Sequence, residues 1–134
     1  MSEVAGLLPE KKTVNITNDL GPNTDLRVHC KSKDDDLGEK LLHFRGYFTF
    51  QFHPNFWGTT LFYCLMKWQN VYHYFDIYID DRDDKRCTVC LWLIRASGPC
   101  MLNRDTQKVN VCFPWDPSSF QFLALREIRT NDRD

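Results

Sequence analysis

The sequence predicts an all-β fold, an antiparallel β-sandwich of about eight short strands stabilised by disulfides. Apolar residues recur mostly with a period of two, which is the spacing of strands that bury one face. Turn-forming Gly, Pro, Asn and Asp residues separate these segments at short intervals. Six cysteines in a chain of 134 residues predict a disulfide framework.

The first half of the chain predicts three strands. Residues 13–18 and 26–30 alternate branched aliphatic residues with polar ones. The clearest alternation runs from Phe44 to His53, where the phenylalanines at 48, 50 and 52 share one face. We therefore expect these rings in the core and the residues between them in solvent. The acidic residues 34–36 predict a turn.

The second half predicts paired strands. Residues 61–68 and 72–79 are rich in aromatic residues and are joined by Gln69-Asn70, which predicts a hairpin. Residues 89–95 predict another strand. Residues 100–103 and 109–113 predict a second hairpin around the turn at 105–108. Residues 120–128 fit either a last strand or a short helix, and no long amphipathic helix is predicted before residue 117.

Length and charge narrow the function classes. We expect one domain over residues 13–116, with partly disordered flanking segments at 1–12 and 117–134. The formal net charge is only -1 and the basic residues are scattered, so we expect no nucleic-acid binding. No apolar run approaches the roughly 18 residues of a membrane span, so we expect no membrane insertion. We expect a monomer.

Strand geometry predicts one disulfide directly. In a hairpin centred on Thr106, Cys100 and Cys112 lie opposite each other, within reach of a bridge. A weaker argument folds the loop after Asp80 so that Cys87 approaches Cys64. The remaining pair would be Cys30 and Cys90, although six cysteines can pair in many other ways.

Two features of the sequence could instead indicate chemistry, namely a close cysteine pair and two acidic clusters. Cys87-Thr-Val-Cys90 has the spacing of a redox dithiol or half a zinc site, so an intracellular thiol or zinc protein is one alternative. No second close pair completes a zinc site, and we expect no metal or cofactor. The acidic clusters at 34–36 and 80–84 could suggest calcium, but interspersed lysines and arginines favour solvated turns.

Catalysis is not expected, because no Ser-His-Asp order and no hydrolase or metalloprotease motif occurs in the sequence. A cell-wall carbohydrate-binding module is a second alternative, since aromatic side chains can form a sugar-binding platform. The candidates for that platform are Trp57, Trp68, Tyr72, Tyr74 and Tyr78.

Several segments in a fixed order carry a family resemblance. They are Cys30-Lys-Ser-Lys-Asp-Asp-Asp-Leu-Gly38, Pro54-Asn-Phe-Trp-Gly-Thr-Thr-Leu-Phe-Tyr-Cys64, Phe75-Asp-Ile-Tyr78, Lys85-Arg-Cys87, Cys90-Leu-Trp92 and Gly98-Pro-Cys100. Together they resemble the plant self-incompatibility protein S1 family, also called S-protein homologues. The resemblance implies a small secreted β-sandwich protein that acts as an extracellular signalling ligand for a plasma-membrane receptor. It supplies no catalytic residues.

Secretion has two consequences for the sequence. We expect a mature form whose signal peptide has been removed, because the first residues lack an apolar core of adequate length. Asn15-Ile-Thr17 is a glycosylation sequon that is usable only in the secretory pathway, so Asn15 is a candidate glycosylation site.

The sequence also suggests where a partner would bind. One loop is long for a hairpin connection, dense in charges of both signs, and close to a cysteine that can anchor it. We predict that it is an exposed recognition loop, formed by Asp80, Asp81, Arg82, Asp83, Asp84, Lys85 and Arg86.

Overall fold

A computed structural model describes residues 9–103 and 105–115. Nine strands and one short helix occur in this part of the chain. They are β1 (Lys12–Asn18), β2 (Leu26–Lys31), β3 (Asp36–Leu42), β4 (Tyr47–Phe52), β5 (Leu61–Trp68), β6 (Val71–Ile79), α1 (Asp80–Asp83), β7 (Val89–Arg95), β8 (Gly98–Asn103) and β9 (Lys108–Cys112). The predicted segment 120–128 and most of both flanking segments lie outside the described residues.

The strands form two sheets, as the sequence predicts. The five-stranded sheet has the order β4-β1-β7-β8-β9, and the four-stranded sheet has the order β3-β2-β5-β6. The predicted hairpins β5–β6 and β8–β9 are both present and antiparallel. In the centre of the larger sheet, however, β1 pairs with β7 in parallel. The predicted antiparallel β-sandwich is therefore confirmed, with one parallel pairing among the described strands.

Strand β3 was not predicted. Its sequence, Asp-Leu-Gly-Glu-Lys-Leu-Leu, carries charges and a glycine instead of an alternating apolar face. It lies at the edge of the four-stranded sheet, where only β2 pairs with it and most of its residues contact solvent. Gly38 has a φ of 78°, next to an irregularity in the β2–β3 register, and a side chain would strain that conformation.

The core lies between the two sheets and is built from the inward residues of every long strand. Strands β1, β2 and β7 bury alternate aliphatic or aromatic residues completely. The rings of Phe48, Phe50 and Phe52 pack against this core from the edge strand β4, while Tyr47, Thr49 and Gln51 point outward. This confirms the prediction that alternate residues of β4 face the core. We expect surface features that could bind a partner in the loops.

Candidate functional site

Three loops meet at one end of the sandwich. The β2–β3 turn follows Lys31, the β4–β5 loop precedes Leu61, and α1 follows Ile79, which pairs with Leu61. The amide of Asp80 donates to the carbonyl of Thr60 at 3.2 Å, which ties α1 to the β4–β5 loop. A surface cavity lies between the β2–β3 turn and the β4–β5 loop. We call this region the loop end; it comprises residues 32–35, 53–60 and 80–86.

The loop end presents two large aromatic side chains to solvent. Phe56 is 67% exposed and Trp57 is 77% exposed, although both are apolar rings. Their ring centroids are 5.5 Å apart with the planes at 77°, an edge-to-face contact. Adjacent exposed aromatics of this kind are typical of anchors that fill pockets on a partner.

The backbone beneath these rings is held by local hydrogen bonds. The Asn55 side chain accepts from the Thr59 amide at 3.0 Å and donates to the Thr59 hydroxyl at 2.9 Å. The Asn55 amide donates to the Thr60 hydroxyl at 2.7 Å, and the Gly58 amide donates to the Asn55 carbonyl at 3.3 Å. Gly58 has a φ of 73°, which a side chain would disfavour. The backbone that carries the rings is therefore restrained before any partner binds.

The predicted recognition loop at 80–86 is only partly a surface. Asp81, Asp84, Lys85 and Arg86 are exposed, as expected. Asp83, however, is 0% exposed, so the prediction that the whole loop is exposed is wrong. The reason is that the segment forms helix α1, which directs the Asp83 side chain inward to the amide of Ile79.

Arg82 joins the buried Asp83 carboxylate to aromatic rings of both sheets. The Arg82 guanidinium donates to both carboxylate oxygens of Asp83, at 2.7 and 2.6 Å, and the Ile79 amide donates to the same carboxylate at 3.0 Å. Above the pair, the guanidinium lies about 5 Å from three ring centroids, those of Phe75, Trp92 and Phe113. This arrangement satisfies a buried carboxylate and covers aromatic core at the same time.

A further polar cluster supports the loop end from below. The Lys12 ammonium is buried and donates to the carbonyls of Asp84 and Cys87 at 2.6 and 2.8 Å. The Tyr78 hydroxyl donates to the Asp80 carboxylate at 2.9 Å. Burial raises the pKa of the Tyr78 phenol, and the hydrogen bond to Asp80 adds to that rise. Burial also raises the pKa of Asp80, against the opposing effect of the Tyr78 hydrogen bond. These contacts fix the helix rather than expose a reactive group.

The acidic turn at 34–36 also forms local contacts. The Ser32 hydroxyl accepts from the Asp35 amide at 3.1 Å, which closes the turn. The Asp36 carboxylate lies 2.5 Å from the His29 imidazole and accepts from the Gly38 amide at 3.0 Å. The hydrogen bond with His29 is the main reason that the pKa of Asp36 lies below its usual value.

The six cysteines form three disulfides: Cys30–Cys64, Cys87–Cys90 and Cys100–Cys112. The Cys100–Cys112 pair is the one predicted from hairpin geometry, and the two residues lie opposite each other in the β8–β9 register. The predicted pairs Cys64–Cys87 and Cys30–Cys90 are wrong. Because β2 and β5 are neighbours, Cys30 lies directly opposite Cys64, and this adjacency depends on a sheet order that the sequence did not reveal.

The structure bears on both alternative functions, the intracellular thiol or zinc protein and the carbohydrate-binding module. All six cysteine sulfurs are engaged in disulfides, which leaves no thiolate for a zinc site. The C-x-x-C pair itself is closed as the Cys87–Cys90 disulfide. The proposed sugar platform is wrong as a unit, because Trp68 and Tyr78 are buried. Trp57 and Tyr72 are exposed, but they lie at opposite ends of the β5–β6 hairpin. Among the described residues no group of three or more His, Cys, Asp and Glu side chains could hold a metal ion.

The sequon residue Asn15 lies in the middle of β1, half-buried, with its side chain on the outer face of the five-stranded sheet. Its neighbours on the chain, Val14 and Ile16, point into the core. In the part of the chain that the structure describes, no helix is long and apolar enough to cross a membrane.

Comparison with known proteins identifies the family. The sequence model of the plant self-incompatibility protein S1 family matches residues 13–115, which is all of the sandwich except its first residue. The chain belongs to the plant self-incompatibility protein S1 family. It is 45% identical over 115 residues to S-protein homolog 2 of Arabidopsis thaliana, covering 82% of this chain and 71% of that protein. It is 41% identical over 117 residues to S-protein homolog 29 of the same plant, covering 87% of both.

A solved structure supports the fold independently. It is described as that of SPH (self-incompatibility protein homologue) proteins, a widespread family of small, highly stable, secreted proteins from plants. The two folds superpose with a TM-score of 0.55 at 20% sequence identity, covering 80% of this chain and 96% of that chain. The S1-family sandwich is therefore the frame on which the loop end is built.

Proposed function

We propose that this S1-family protein is a secreted extracellular signalling ligand, without enzymatic activity, that binds a cell-surface receptor as a monomer. Support for secretion comes from the oxidised cysteines, because disulfides persist in extracellular compartments. Family membership points the same way, since the SPH proteins of the solved structure are described as secreted.

The observation that carries the receptor-binding proposal is the exposure of Phe56 and Trp57 on a hydrogen-bonded loop. Two such rings in water lower the solubility of the protein and add nothing to its core. We therefore infer that they serve to contact another molecule. The hydrogen bonds of Asn55 restrict the loop before binding, which reduces the conformational entropy lost on association. Rigid aromatic side chains at the centre of an interface often supply most of its binding energy.

The loop end also carries exposed charged side chains. Asp34 and Asp35 lie in the β2–β3 turn, and Asp81, Lys85 and Arg86 lie on the exposed part of the 80–86 segment. In the proposal these groups form the polar rim of the interface. Rim charges act mainly on association rate and partner choice, so their effect should weaken as salt rises.

The experiment measures equilibrium binding of the purified protein to plant plasma-membrane vesicles. We expect Trp57→Ala to weaken binding by roughly 30-fold, which corresponds to about 2 kcal/mol for an interface anchor. The matched control is Tyr72→Ala, which also removes an exposed ring, 58% exposed, but at the opposite end of the sandwich. Both variants should keep the melting temperature of the parent.

Two results would count against the proposal. Equal loss of binding in Trp57→Ala and Tyr72→Ala would mean that aromatic surface in general, not the loop end, drives adsorption. Binding that survives protease treatment of the vesicles but is lost after glycosidase treatment would point to a carbohydrate ligand instead of a receptor protein.

A further inference from the structure

The outer face of the five-stranded sheet carries a strip of exposed apolar side chains beside the sequon. In the parallel β1–β7 pairing, Asn15 lies opposite Leu91, and Thr13 lies opposite Val89. Leu91 is 37% exposed and Val89 is 50% exposed, although their strand is internal to the sheet. Directly opposed residues on one face lie about 5 Å apart at Cβ and diagonal neighbours about 7–8 Å apart, so Leu91 is adjacent to Asn15 and Val89 is within reach of a sugar-sized group attached to it.

The Asn15 amide group is oriented by two hydrogen bonds. One N–H of Nδ2 is donated to the Thr49 hydroxyl at 2.7 Å, on the β4 side. The Oδ1 atom accepts from the Thr17 hydroxyl at 3.0 Å. A sugar can replace the second hydrogen of Nδ2 while both of these hydrogen bonds remain. Because the first N–H points toward Thr49 on β4, the space for that sugar lies on the side of β7.

We infer that Asn15 carries an N-linked glycan whose first sugar lies over Leu91 and Val89. The inference rests on the secretion part of the proposed function, because the modification occurs only in the secretory pathway. An N-acetylated sugar offers apolar C–H and methyl groups toward the strand and hydroxyl groups toward water. It would therefore cover the aliphatic strip while raising solubility.

The modification is a transfer from a lipid-pyrophosphate-linked oligosaccharide. Asn15 Nδ2 forms a bond to the anomeric carbon of the first sugar and loses one proton. The bond from that carbon to the pyrophosphate oxygen breaks, and the lipid pyrophosphate leaves with the electron pair. No oxidation or reduction takes place.

The test exports the full chain from yeast behind a cleavable leader, so that it does not depend on any receptor. Peptide mapping should find a glycan mass on Asn15 that is absent from Thr17→Ala and retained in Thr17→Ser, which preserves the sequon. An unmodified Asn15 in the exported parent protein would overturn the inference and leave the receptor-binding proposal untouched.

Coverage of the strip is measured with a fluorescent dye that binds exposed apolar surface. After the parent glycan is trimmed to one sugar, Thr17→Ala should bind more dye than the parent. Adding Leu91→Ser to both should abolish that difference, whereas adding Tyr47→Ser should preserve it, because Tyr47 lies on the β4 side of β1. A difference that persists with Leu91→Ser, or no difference in the first comparison, would overturn the placement of the sugar over β7.

Discussion

Replacing Asp83 with alanine should destabilise the protein far more than the same change at its neighbour Asp84. The Asp83 carboxylate is fully buried and accepts three hydrogen bonds, two from Arg82 and one from the Ile79 amide. The Asp84 side chain is 49% exposed, and its carboxylate contacts only Lys12, at 3.7 Å, among the ion pairs of the described residues. The two positions are adjacent in the sequence but differ completely in burial.

The loss of stability in Asp83→Ala is set by the Arg82 charge, which stays partly buried without its partner. Removing one partner of a buried ion pair costs about 3–5 kcal/mol, because the other charge stays buried without compensation. Arg82 keeps its bond to the Asp76 carbonyl and remains 19% exposed, so the lower part of that range applies. We expect a loss of about 3 kcal/mol for Asp83→Ala and at most about 1 kcal/mol for Asp84→Ala.

Urea unfolding and thermal unfolding of both variants measure the difference. A loss of that size should lower the melting temperature of Asp83→Ala by about 10 °C. A double-mutant cycle with Arg82→Met tests the cause, since the double variant should lose less than the sum of the single losses. Equal shifts for Asp83→Ala and Asp84→Ala, or strictly additive losses in the cycle, would refute the buried-pair reasoning.

Three further predictions concern the core, a close backbone contact and pH. Phe50→Ala should lower the free energy of unfolding, measured in urea, by about 3 kcal/mol, whereas Gln51→Ala should change it by at most about 0.5 kcal/mol. The reason is that the two side chains lie on opposite faces of β4. Equal losses for the two variants would contradict the strand assignment. Gly98→Ala should prevent stable folding, since a Cβ there would lie 2.1 Å from the Phe113 carbonyl oxygen; a parent-like melting curve would disprove that contact. Asp80→Asn should gain stability relative to the parent as pH rises from 3 to 7. Because the pKa of Asp80 is raised in the folded protein, its protonated carboxyl contributes fully to the stability of the parent below the ordinary pKa of 3.8. That contribution is lost as the pH rises through the pKa of Asp80 in the folded protein. A pH-independent difference between the two proteins would show that ionisation of this carboxyl does not affect folding.

Sequence reasoning succeeded where the relevant contacts are local. The alternation of phenylalanines in β4 and the opposition of Cys100 and Cys112 both follow from the geometry of one strand or one hairpin. It failed where the answer depends on which strands are neighbours. The Cys30–Cys64 disulfide requires the β2–β5 pairing, which no short-range pattern encodes.

The candidate site divides in the same way. A run of charged residues indicates a solvated loop, but no composition signal distinguishes Asp83 from Asp84, because burial is decided by the turn of α1. The sequence offers Trp57 as one of several candidate aromatics, but its exposure depends on a loop conformation that the Asn55 hydrogen bonds hold. A Pro-Asn-x-x-Gly stretch around two aromatics was the signal that could have identified it.

The parallel pairing of β1 with β7 has a consequence for the order in which the molecule assembles. All strands of the four-stranded sheet have been synthesised once the chain reaches Ile79, whereas β1 lacks one of its two neighbours until residues 89–95 appear. Contacts between segments so distant in sequence are slow to form because a long loop must close first. Strand β1 therefore waits with an unpaired edge. During that interval the apolar side chains of Val14 and Ile16, which are buried in the folded protein, can be shielded by a chaperone.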